Sequence, residues 1–283
     1  MTIDELRQRL TDGHSEIAAV AGQLAQRPAG HLLITGLHAS ARSVVLSALR
    51  EQDKTHAVHL IVCDNADEAQ YLYADMRTLG GDKAAATLLF FPHSHRRRQS
   101  TIDESMAIQR TQTLSALLQQ DKHPAIVTYP EALSELSCPP DVMQQSSLSL
   151  HTGDETSIAA LTARLLDLGF QRVDFVYEPG QFAIRGGIVD IYSYASEYPF
   201  RLDFFGDEID SIRTFDIETQ LSDKRVDEVA IVRTDESENM VSLAAYLPPS
   251  TLYIGNNIHL TPLHAALQDS APDWSDTIEI GTK

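Results

Sequence analysis

Cysteine, tryptophan and basic side chains are scarce in this sequence, and long apolar runs are missing. Each shortage removes a class of protein. The two cysteines, Cys63 and Cys138, are too few and too unpatterned for a disulfide framework or a cysteine metal site. That usage fits a reducing cytoplasm. Cys63 sits in the apolar run VHLIVCD and reads as a small core residue. No stretch approaches the ~18 apolar residues of a membrane-spanning helix. The opening MTIDELRQRL is charged and helix-like, unlike a secretory signal. Basic residues number 22 against 40 acidic ones, a net charge of −18. A field of that sign repels a phosphate backbone, which disfavours a large DNA footprint on this chain and leaves room for a protein partner. No cofactor, metal or membrane contact is expected.

What is present is a chain of 283 residues, 43% of them hydrophobic, enough for about two domains. Two helix-like stretches lie before residue 28, the first opened by a Thr2–Glu5 capping box. Apolar strand-like runs then alternate with amphipathic stretches. The strands are HLLITG (31–36), AVHLIVCD (57–64), ATLLFFP (86–92) and AIVTYP (125–130), with helices near 40–52, 65–79 and 102–120. Continuous apolar strands separated by helices imply a parallel sheet covered on both faces. Near 137–150 the rhythm stops at Pro139-Pro140. One more helix, 157–170, ends near Gly169, and five strand-like runs follow: RVDFVYE, QFAIRG, GIVDIYSYA, YPFRLDFFG and EIDSIRTFD. Short turns between them favour an antiparallel sheet with a helix on one face. The division expected is 1–136, an inserted 137–217, and a return over 218–283, where 226–234 and 250–256 look like strands rejoining the first domain.

Residues 31–50 have the strand–loop–helix setting of a phosphate-binding loop, G-x-x-x-x-G-K-[ST]. The aligned residues are Gly36, Ala41, Arg42 and Ser43. The first glycine and the hydroxyl are in place; the second glycine and the lysine are not. Arginine keeps the charge but has a longer, planar fork. Asp103-Glu104-Ser105 is the one Asp-Glu pair followed by serine, and it reads as a helix start, not a metal ligand after an apolar strand. The loop is expected to be inactive: no catalytic residue is assigned.

Alternation along strands sorts the second domain's side chains by face. Val173 with Phe175, Phe182 with Ile184, and Leu202 with Phe204 share the face expected against helix 157–170. Arg172, Asp174, Arg185, Arg201 and Asp203 fall on the other. Three arginines together form a local exception in an acidic chain, and arginine is enriched at interfaces. On spacing alone, a plain solvated face with cross-strand ion pairs comes first.

FAIRGGIVDIYSYASEYPFRLDFFGDEIDSIRTFD resembles UvrB and, more closely, the UvrB-like N-terminal region of bacterial transcription-repair coupling factors (Mfd). The matching pieces are R-G-x-x-x-D-[IL] at 185–191, R-[LV]-[DE]-[LF]-F at 201–205, and D-E-[IV] with [FL]-D within 207–216. The likeness extends loosely over about 25–235. It implies an α/β fold: a degenerate helicase-type, P-loop-like parallel-sheet domain with an inserted α+β antiparallel-sheet domain. It implies a lost ATP-binding loop, at Ala41-Arg42. The stretch FFPHSHRRRQST lacks the tyrosines and length of the DNA-clamping hairpin of UvrB, so Arg96-Arg97-Arg98 reads as a solvated loop. It further implies UvrA as partner, with contacts at Arg172, Arg185, Arg201 and the acidic Asp203; Ala183 stands where UvrB has an arginine. The chain then looks like the first piece of a longer protein whose remainder binds RNA polymerase and double-stranded DNA and translocates with ATP. The rival reading is the nucleotide-binding half of a DNA-dependent, UvrB-like ATPase.

Overall fold

The computed structural model describes residues 30–34, 37, 40–94, 104–119, 123–233, 240–255 and 276–280. The helices expected before residue 28, Gly36 and the Arg96–Arg98 run lie outside the described residues. The chain divides into two compact units, one of 1–94, 116–137 and 241–283, the other of 95–115 and 138–240.

The first unit holds a six-stranded sheet. In chain order its elements begin with β1 (Gly30–Ile34), α1 (Ala41–Gln52), β2 (Val58–Val62), α2 (Ala66–Thr87) and β3 (Leu88–Phe90). Helix α3 (Glu104–Leu118) follows, with residues 104–115 counted in the second unit, and then β4 (Ala125–Thr128) and α4 (Pro130–Ser134) of the first. The strand order is β1-β14-β13-β2-β4-β3, with β13 (Thr251–Gly255) and β14 (Asp276–Ile280) coming from the end of the chain. Every pairing is parallel. Every residue of β2, β4 and β13 is buried, as expected where both faces are covered. The run labelled α2 is broken at Gly81, whose φ of +56° no helix contains, so the helix expected over 65–79 stops where the glycines begin.

After most of α3, the second unit continues with α5 (Pro140–Gln145), β5 (Ser147–His151) and α6 (Ile158–Asp167). Ser157 caps α6, its Oγ accepting from the Ala160 N–H at 3.1 Å. Gly169, at φ +81°, ends it; the Phe170 N–H returns to the Leu165 carbonyl. Six strands then form one sheet: β6 (Gln171–Arg172), β7 (Gln181–Arg185), β8 (Ile188–Ile191), β9 (Phe200–Phe205), β10 (Glu208–Phe215) and β11 (Ser222–Val226). They lie in sequence order, antiparallel except for β6 beside β7. Strand β12 (Glu228–Val232) pairs with β5. Leu161 and Leu165 of α6 pack with Phe182, Val189, Leu202 and Ile212 in the main core of the unit.

Two expectations need correction here. The inserted unit does not end at 217. Strand β11 extends its sheet and β12 joins β5, so 226–234 stays in this unit and only 250–256 rejoins the first. Nor is 172–178 a strand. The Val173 N–H makes the last ladder bond, to the Phe182 carbonyl at 2.9 Å; further on, the Gln181 side-chain oxygen accepts from the Tyr177 and Glu178 N–H groups at 2.9 and 3.1 Å. A side chain thus takes donors that a strand would have used. The segment folds over the sheet instead, where Val173 and Val176 pack with Ala183, Tyr192 and Phe215 in a second, smaller core.

Candidate partner-binding face

Strand register fixes which side chains of the second unit stand together, because residues paired across a ladder share a face. Ala183 pairs with Asp190, Asp190 with Arg201, and Arg201 with Arg213. Arg213 in turn pairs with Arg225, while Ile188 stands between Arg185 on one side and Asp203 on the other. Arg185, Asp190, Arg201, Asp203, Arg213 and Arg225 therefore occupy the face opposite the α6 core. Four guanidinium groups meet two carboxylates, a local excess of positive charge on a chain of net −18. Arginines placed directly opposite one another repel, and Asp190 and Asp203 stand among them to offset it.

Asp190 is the centre of the arrangement. Its side chain is 1% exposed and receives both neighbours. Arg201 grips it with two prongs, Nε to Oδ1 at 2.7 Å and Nη2 to Oδ2 at 3.0 Å. Arg185 donates from Nη2 to the same Oδ2. Arg201 is 14% exposed; its Nη1 donates to the Gln220 carbonyl at 3.1 Å and its guanidinium lies 4.5 Å from the Phe215 ring centre. Hydrogen bonding to Asp190 pushes the Arg201 pKa up, with burial opposing it. Arg185 is 34% exposed and lies 5.1 Å from the Phe175 ring centre. Asp203 is held by Ser211 Oγ at 2.9 Å and lies 3.5 Å from Arg213. Asp203 thus meets the basic Arg213, while Asp190, directly across the ladder, holds Arg201.

Arg172 stands apart from this group. Its ladder partner is Phe182, which faces α6, so Arg172 has the phase of the core face and lies exposed on a two-residue edge strand. Val173, expected with the core, packs on the charged side. The phase read from the sequence is inverted for this segment, since the alternation was counted through a strand that does not continue. Arg185, Arg201 and Asp203 are brought together; Arg172 is not. Asp174 enters only through its carbonyl, which accepts from Arg185 Nη1 at 3.3 Å.

Sequence reasoning missed Asp190, Arg213 and Arg225. The aspartate is a fixed letter of R-G-x-x-x-D-[IL] and could have been found there. Arg213 was hidden by a bulge: pairing shifts between Ile209 and Ser211, so a plain count of alternation from Ile209 assigns the wrong face. Large apolar groups also remain in solvent beside these charges. Phe205 is 82% exposed at the end of β9, in phase with Asp203, and Phe175 and Tyr177 are exposed on the folded-over segment.

The altered loop of the first unit is different in kind. Ala41 is the first residue of α1, and among the described residues positive φ outside glycine occurs only at His123 and Gln220, so the alanine is unstrained. Ser43 is buried and donates to Asp75 of α2 at 3.0 Å. Arg42 leans toward Glu68 at 3.7 Å and the Cys63 sulfur at 3.8 Å. Burial pushes the Cys63 thiol up to about 11, against the pull of Arg42, which keeps it protonated and inert. The two loop residues with polar reach are thus engaged with the helix and strand behind them.

A third polar cluster joins α1 to β2. The ring N–H groups of His56 and His59 donate to Asp53 Oδ2 at 2.6 and 2.8 Å, and the Thr55 N–H donates to Oδ1 at 2.8 Å. All three side chains are buried. Burial acts to raise the Asp53 pKa, but these hydrogen bonds overcome it and hold the carboxyl far below its usual range. These are the one set of metal-ligand types grouped among the described residues, their donor atoms within 4.8 Å of one another. At 2.6 and 2.8 Å the carboxylate oxygen bonds the rings directly.

No helix among the described residues is long and apolar enough to cross a membrane. Residues 148–236 match the family model described as the UvrB interaction domain, and that segment contains the whole arginine face. A transcription-repair-coupling factor of Bacillus subtilis is 33% identical over 67% of this chain. One from Haemophilus influenzae is 31% identical over 73% of it. The chain covers only 16% and 17% of these two relatives. Residues 148–236 are a UvrB interaction domain, and the chain that carries them is a homologue of the transcription-repair-coupling factors.

Proposed function

We propose that this chain is the UvrB-homology module of a cytoplasmic transcription-repair coupling factor and recruits UvrA to stalled transcription for nucleotide excision repair. One observation carries the reading. Within the matched UvrB interaction domain, Arg185 keeps a third of its side chain in solvent on a locally positive face flanked by bare aromatics. A guanidinium fork held in place is suited to a partner carboxylate, and aromatic groups beside it are the usual companions of arginine at interface centres. Arg201 frames the site, Asp203 with Arg213 borders it, and Arg172 contributes from the sheet edge. In the longer protein, RNA polymerase and double-stranded DNA are partners of other segments, which translocate with ATP.

The same reading assigns no ATP hydrolysis to this region. Its support is the inward engagement of Ser43 and Arg42 and the loss of the loop's second glycine and lysine. Titration of UvrA with the wild-type chain and with Arg185→Glu tests the proposal. Losing a buried charge pair costs about 2–5 kcal/mol, so the reversal should weaken binding at least about tenfold with unchanged circular dichroism. Equal affinities would reject the docking role.

A further inference from the structure

Asp190 is the most buried charge on the docking face, and it touches solvent with almost none of its surface. It cannot be a contact residue. Yet it accepts three hydrogen bonds from two arginines, across the ladder from Arg201 and diagonally from Arg185. We propose that Asp190 is a positioning residue for partner docking: it clamps two like charges side by side and aims the free edge of Arg185 outward. This rests on the docking reading above.

The physics is a competition. Two guanidinium groups repel and, on long side chains rich in rotamers, separate into different conformations. One carboxylate between them offsets the repulsion and removes that freedom before the partner arrives, so less ordering is left to be done on binding. Arg201 spends Nε, Nη2 and Nη1 on Asp190 and the Gln220 carbonyl, which makes it a brace. Arg185 spends Nη2 on Asp190 and Nη1 on the Asp174 carbonyl and keeps a more open side chain, which makes it the donor to the partner. The cluster retains one net positive charge, matched to one carboxylate.

Asp190→Asn separates position from charge. It removes a negative group, so a face that worked by net charge alone would bind an acidic partner more tightly. A face that works by clamped geometry binds less tightly. The experiment is titration of UvrA with the full 283-residue chain in four forms: wild type, Arg185→Ala, Asp190→Asn and both together. Asp190→Asn is expected to weaken binding about tenfold, and the double variant should lose less than the product of the two separate losses. A gain in affinity, no change, or losses that multiply overturns the positioning role while the docking reading stands. Wild-type affinity in Arg185→Ala defeats the docking reading itself. A second measurement needs no variant. The Arg185 and Arg201 guanidinium N–H groups of the unaltered chain should give separate, slowly exchanging NMR signals, and averaged signals like those of free surface arginines overturn the clamp.

Discussion

Two arginines in this chain lie in segments with recognisable motifs, and their surroundings differ. Arg42, in the altered loop, leans back on Glu68 and Cys63, beside a serine whose hydroxyl is committed to Asp75. Arg185, in the inserted sheet, is held from behind by Asp190 and keeps its front open. A polar group that finds its partner inside the unit helps hold the unit together. One whose partner inside leaves donors to spare has capacity for something outside. The polar atoms of Arg42 and Ser43 thus serve packing, while part of the Arg185 guanidinium stays in solvent.

That contrast can be tested in order of expected effect. Asp53→Ala should be the most damaging change to the first unit, since it removes the buried carboxylate that two buried histidines bond; about 3 kcal/mol of stability is expected to go, read by urea unfolding. The pH dependence has a defined sign. The Asp53 pKa is lower folded than unfolded, so its contribution is full above the ordinary carboxylate value and is lost as pH falls below about 4. Thermal melts from pH 7 to 3 should show a steeper loss for wild type than for Asp53→Asn. Phe205→Ala probes the second region: at 82% exposure it packs little, so melting should hold while UvrA affinity falls by about 2 kcal/mol. Smallest is Ser43→Ala, expected to cost about 1 kcal/mol for the lost bond to Asp75. It should leave nucleotide binding, measured with a fluorescent ATP analogue, unchanged at background. A specific signal abolished by this change would restore the rival ATPase reading.

Much of the architecture was legible because it rests on local pattern. Continuous apolar runs marked β2 and β4, and Ser157 and Gly169 bracketed α6. Alternation placed Arg185, Arg201 and Asp203 correctly because β7 and β9 are regular. It failed where regularity failed. Arg172 was misphased because the backbone leaves the ladder after Val173, and Arg213 went unseen behind the bulge after Ile209. The unit boundary was misplaced because the allegiance of β11 and β12 is decided by long-range pairing, to β10 and β5, which no local period records. The motif R-G-x-x-x-D-[IL] carried Asp190, but one carboxylate in an apolar strand says nothing of the two arginines that reach it from its neighbours.

The strand order of the first unit sets a timetable for synthesis. Strands β13 and β14 lie between β1 and β2, so the sheet has a gap at its heart until residues 251–280 emerge. Among the described residues, every strand of the arginine-bearing unit is made before residue 233. On the ribosome, the later-numbered unit can therefore finish first, while the earlier strands wait with unpaired edges. A chain halted near residue 245 would carry a finished arginine-bearing sheet attached to an open, aggregation-prone half-sheet.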